Sequence, residues 1–212
     1  MKSLLLSGLF LCCLTSLQAQ SNDKFIKSMT TNVAMLDTST RKETLQILAN
    51  NFSRIAGKET TEWLPNYYLA YCDIMLSYMN GADQIDTYCD QADSALSKAD
   101  KISPNNSEIT TLKAWSCSAR IMVNPMSRGA KFGGMASGLE SQAMNQDPSN
   151  PRPYLLRGQG LYYTPAAFGG GKDKALPVLQ QAVTKFGTFK PKNVYDPHWG
   201  AEQAKKMLDQ CK

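Results

Sequence analysis

The sequence predicts an all-α protein, a solenoid of helix pairs with about nine helices in one domain. Three observations carry that reading. Pro148 to Gly187 reads as a helix, an abrupt turn and a second helix. Its second helix carries Ala175, Leu179, Ala182 and then Gly187, a ladder that returns as Ala92, Leu96, Ala99, Pro104 and as Ala136, Glu140, Ala143, Pro148. Ahead of each ladder lies a helix with a small residue in mid-course, Ala70, Ala114 and Gly158, spaced 44 residues apart. Small residues at a fixed period let paired helices approach closely, which stacked units need.

The elements follow in chain order. Residues 1–19 read as a cleaved leader: Lys2 gives a positive start, Leu4–Leu17 is apolar but short for a bilayer, and Leu17-Gln18-Ala19 fits a peptidase site before Gln20. The competing reading is a lipid anchor on Cys12 or Cys13. Leu11 and Cys12 precede those cysteines where a small residue is wanted, which favours an unanchored protein. Next comes a degenerate leading pair over 23–56. Its first helix carries Phe25, Ile26, Met29, Val33 and Met35, and its second Leu45, Leu48, Phe52 and Ile55. Three repeats occupy about 62–187. In the last, Asn150-Pro151 opens a helix, Thr164-Pro165 closes it, and Gly169-Gly170-Gly171 bends the chain at positive φ. Asp196-Pro197 then starts a capping helix over about 197–211, with Trp199, Ala204, Met207 and Leu208 on its buried face.

These ladders resemble the tetratricopeptide repeat. Leu69-Ala70 with Ala92, Leu96, Ala99 and Pro104 follows that pattern, as does Arg157-Gly158 with Ala175, Leu179 and Ala182. Lys113 and Glu140 depart from it, standing where large apolar residues are usual, and the 44-residue unit exceeds the family's 34. The resemblance covers roughly residues 60–187. It implies a right-handed solenoid and a role in protein–protein binding, and it speaks to fold rather than to a particular partner.

Charge and cysteine usage bound the chemistry. The net charge of +5 is mild and does not indicate nucleic acid. From Ala82 to Glu108 six acids face two lysines, whereas residues 150–212 hold ten bases and four acids. Cys72, Cys89, Cys117 and Cys211 follow the leader at spacings that match no zinc signature. Cys72 and Cys89, on neighbouring antiparallel helices, either bridge or stay as small buried hydrophobes. Cys211 reads as free.

No catalytic constellation is found, so no enzyme and no cofactor is expected. Gly169-Gly170-Gly171-Lys172 lacks the phosphate-loop spacing and follows a helix rather than a strand. His198 is the single histidine, a surface or capping side chain. Asp86, Asp90 and Asp93 share one helix face, which reads as solvated.

The functional signal is aromatic. The repeat register brings Tyr67, Tyr71, Trp115, Arg152, Gln159 and Tyr163 to the concave surface, types that dominate binding interfaces; the alternative is packing between helices. The expectation is an exported, non-enzymatic module, periplasmic or secreted by a Gram-negative bacterium, holding a peptide or partner helix in that groove. The alternative is a periplasmic solute-binding or transporter-accessory helical subunit. Neither reading includes nucleic acid or, once the leader is removed, membrane insertion. The Thr164–Lys174 turn either connects two helices or folds over one end of the groove to grip a ligand.

Overall fold

The computed structural model describes residues 23–38 and 41–212; the expected leader and Cys12 and Cys13 lie outside the described residues. Nine α-helices and no strand are found among the described residues, as the apolar periodicity predicts. α1 spans residues 23–38. α2 is Lys42–Lys58, α3 Leu64–Met79, α4 Ala82–Ile102, α5 Ser107–Ile121 and α6 Pro125–Gln146. α7 is Arg152–Tyr163, α8 Lys172–Thr188 and α9 Ala201–Cys211, with a short 3-10 turn at Ala166–Phe168. None of these helices is long and apolar enough to cross a membrane.

From α2 to α9, each helix packs on the next, and α3, α5, α7 and α9 also touch one another in series. The first helices of successive pairs therefore form an inner layer, as stacking of a repeated pair requires. The small residues sit where the helices meet: Ala70, Ala114, Ala99, Ala143 and Ala182 are fully buried. A Cβ on Gly158 would lie 2.6 Å from both Cγ and Cδ2 of Leu179, so α7 and α8 touch through a missing side chain. Asn106 and Asn150, 44 residues apart, each accept a hydrogen bond from the backbone two residues on, at 2.9 and 3.0 Å.

The two departures from the repeat pattern are resolved by pairing. Glu140 is buried in place of a leucine and accepts from Arg157 Nε at 3.1 Å. Lys113, at the position equivalent to Arg157, donates to Asp100 at 2.9 Å. Lys113 and Arg157 thus each find an acid on the second helix of the preceding pair.

Several local expectations are corrected. The capping helix starts at Ala201 rather than at 197, and residues 189–200 form an irregular segment containing Trp199. Gly169 and Gly171 take positive φ, 85° and 104°, but Gly170 does not. A Cβ there would lie 2.7 Å from the Leu161 carbonyl oxygen, so Gly170 is required by close approach. Of the two readings of Cys72 and Cys89, the small buried hydrophobes hold, since both are free. Cys72 belongs to the main core and Cys89 to a small cluster with Ile85 and Ala119, so they face different neighbours. Asp86, Asp90 and Asp93 are not simply solvated: Arg120 of α5 reaches them at 3.3, 2.8 and 2.7 Å.

Two main cores result. One joins α1 to α5 and takes in Leu156 of α7, and the other joins α7 to α9 around Leu155, Leu179 and Met207. Trp199 packs against both.

Candidate functional site

Helical spacing places three side-chain stripes on the inner layer: Tyr67, Tyr71 and Tyr78 on α3, Glu108 and Trp115 on α5, and Arg152, Gln159 and Tyr163 on α7. Met122, at the end of α5, continues the second stripe. Residues 189–200, the strap between α8 and α9, lie across the N-terminal half of these stripes. Tyr68 Oη donates to the Tyr195 carbonyl at 2.8 Å, and Arg152 donates to the carbonyl of Pro197. The Trp199 ring stacks on Trp115 at 5.2 Å, and its Nε1 donates to Tyr67 Oη at 2.8 Å. At its other end the strap meets α1, where Tyr195 packs edge-on against Phe25 at 5.9 Å. His198 Nε2 lies 2.9 Å from Asp37 Oδ2.

Beneath the strap is a buried polar knot. Tyr67 Oη accepts from Trp199 and donates to Glu108 Oε2 at 3.1 Å, while Arg152 donates to Glu108 Oε1 at 2.8 Å. The guanidinium also lies 4.7 Å from the Phe189 ring centre and 5.3 Å from that of Trp199. Burial pushes the Tyr67 hydroxyl and the Glu108 carboxyl up, and Arg152 pulls both back.

Of the six side chains expected on an open concave surface, four are interior. Tyr67 and Arg152 are fully buried, and Tyr71 and Trp115 are 9% and 6% exposed. The structure does bring them together: Tyr71 and Trp115 are in ring contact at 5.5 Å and Arg152 reaches Glu108 of α5. Their expected exposure is corrected by the strap, which no periodicity announces. Gln159 is half-buried and accepts from Gln203 of α9 at 3.1 Å. Tyr163 is 69% exposed. The reading of the sequence missed Glu108, which stands 44 residues before Arg152 with opposite charge and could have been paired with it. It also missed Tyr78 and Met122.

The C-terminal half of the inner face stays open. Tyr78, Met122 and Tyr163 project there at 43%, 56% and 69% exposure, and Tyr78 lies 6.4 Å from the Trp115 ring. Beyond α7, Phe168 stands out from the Gly-rich turn at 73%, so the turn does not bury its aromatic side chain beneath α8. Aromatic and thioether side chains without a titratable partner are suited to stacking against a flat apolar ligand rather than to proton transfer. No group of three or more His, Cys, Asp or Glu side chains that could hold a metal is found among the described residues.

No protein-family model and no curated protein matches the chain. Among solved structures, the HusA haemophore from Porphyromonas gingivalis superposes with a TM-score of 0.82. It is 40% identical, over 89% of this chain and 92% of that one. Identity at that level across nearly the whole of both chains shows that this protein belongs to the family of the HusA haemophore.

Proposed function

We propose that the protein is an exported, non-enzymatic carrier that holds haem on the open half of its inner face. The observation that carries this reading is the row of exposed Tyr78, Met122 and Tyr163 beside the Trp115 ring, left uncovered where the strap ends. A tetrapyrrole is a broad planar apolar ring, and offset stacking on aromatic rings and contact with a flexible thioether are the interactions such a ring accepts best. The relative's designation as a haemophore supports this choice of cargo. Export rests on the leader read in residues 1–19, and it would place the protein in the periplasm or outside a Gram-negative cell.

Of the two functional expectations, this is closer to the solute-binding one. A peptide or partner helix has less room, because the strap already occupies the N-terminal half of the inner face. The tetratricopeptide resemblance is retained for the architecture of the repeat, where the small-residue ladder supports it.

The test is a haem titration followed by absorbance and tryptophan quenching, since Trp115 borders the open half. A Met122→Asp, Tyr163→Asp double variant is expected to bind haem at least tenfold more weakly with an unchanged melting temperature, as both side chains are exposed. Wild-type affinity in that variant would remove the open half as the site, and no binding by the wild-type protein would remove haem as the cargo.

A further inference from the structure

A second concave region lies between α1 and α2, with Phe25 at its base. It is a cleft of about 760 Å³ that contains none of the residues of the haem face. Lys24 of α1 and Arg54 and Lys58 of α2 line it, against a single acid, Glu59. Its walls are neutral polar side chains, Ser28, Asn32 and Asn51, and Ile55 adds a half-buried apolar strip.

Arg54 differs from other arginines of the fold. Arg120, Arg128, Arg152 and Arg157 each meet a carboxylate. Arg54 instead donates to the Asn50 carbonyl at 3.4 Å and to Asn51 Oδ1 at 2.5 Å, both neutral. The relay continues across the cleft, with Asn51 Nδ2 donating to Asn32 Oδ1 at 2.8 Å and Asn32 Nδ2 to the Ser28 carbonyl at 2.8 Å. The guanidinium is therefore held in place while its charge stays uncompensated. Lys24 and Lys58 make no hydrogen bond or ion pair among the described residues, and residues 1–22 and 39–40 contain no Asp or Glu to neutralise them. Arg54 and Lys58 are also four apart on one helix face, a like-charge arrangement that destabilises a helix. A preorganised guanidinium beside two unpaired ammonium groups is the chemistry that takes a tetrahedral oxyanion. Amide and hydroxyl walls suit sugar hydroxyls, and an aliphatic strip suits the C–H face of a sugar ring.

We propose that the α1–α2 cleft is a second binding site, for a saccharide carrying sulfate or phosphate esters. Arg54 and Lys58 bind the ester oxygens, Lys24 closes the cationic rim from α1, and the Asn51–Asn32 pair reads the sugar hydroxyls. This site is independent of haem binding.

The experiment maps amide NMR shifts and measures affinity by calorimetry. The probes are sucrose octasulfate, sucrose 6-phosphate, unsubstituted sucrose and inorganic sulfate. Saturable shifts concentrated in residues 24–32 and 51–59 are expected with a substituted sugar and not with sucrose. The responding ester identifies which oxyanion is preferred. An Arg54→Gln, Lys58→Gln double variant, both positions being exposed, should bind at least tenfold more weakly while taking up haem as the wild type does. The proposal is overturned if the double variant keeps wild-type affinity, or if inorganic sulfate matches the esterified sugar, an adventitious ion only. Shifts centred on the basic residues of 172–206 would equally overturn it.

Discussion

Asp73 is 4% exposed on α3, and burial alone raises its carboxyl to about 7. Its folded pKa thus stands above its unfolded value. Between about pH 4 and pH 7 the native state keeps a proton that the unfolded chain has released. Stability therefore falls as pH rises through that window and levels off above it. Asp73→Asn removes the charge while keeping the shape. It should match the wild type near pH 4 and exceed it at pH 8 by up to about 4 kcal/mol. Urea unfolding at the two pH values checks this, and a variant no more stable at pH 8 would mean that the carboxylate is solvated. Glu140 is also raised to about 7, first by burial, but Arg157 lies against it. Neutralising Glu140 would strand part of a buried pair, which makes Asp73 the cleaner probe.

At the scale of the helix, two glycines of α7 make opposite cases. Gly158 meets Leu179 of α8, whereas a Cβ on Gly160 would have nothing within 4 Å. Alanine favours a helix interior over glycine by about 1 kcal/mol. Gly160→Ala should stabilise the protein by roughly 0.5–1 kcal/mol. Gly158→Ala should destabilise it by about 1–3 kcal/mol, because Leu179 is fully buried and has little room to move. Thermal melts of the two variants should shift in opposite directions, and equal shifts would mean that α7 and α8 are not in such close contact. This contact was legible in the sequence through the 44-residue spacing of Ala70, Ala114 and Gly158. The partners of Lys113 and Glu140 were not, because the pattern of a repeat marks a misfit without naming what lies across the helix boundary.

At the scale of the molecule, the strap holds two cores together. Trp199 packs against both, and His198, Tyr195 and Pro197 connect the end of the stack to α1, α3 and α7. Trp199→Ala should cost on the order of 3 kcal/mol. It should also broaden or split the unfolding transition, as α7–α9 lose their coupling to α1–α5. A single transition of unchanged sharpness, followed by calorimetry, would show that the cores are joined by the helix stack alone. Arg152→Met should be costlier than its size suggests, about 3–5 kcal/mol, since it leaves Glu108 buried without its cation.

The sequence by itself determined the helices, their pairing and their register, because these depend on local periodicity and on small residues at a fixed period. It also brought Tyr71, Trp115 and Arg152 to one face. Which half of that face remains open was decided only by the tertiary structure. The strap is an irregular stretch whose carbonyls at Tyr195 and Pro197 find donors 127 and 45 residues away in the chain, on Tyr68 and Arg152. Main-chain acceptors carry no side-chain signature, so nothing in residues 189–200 announces where they dock. The open half is what remains of the inner face once those acceptors are satisfied.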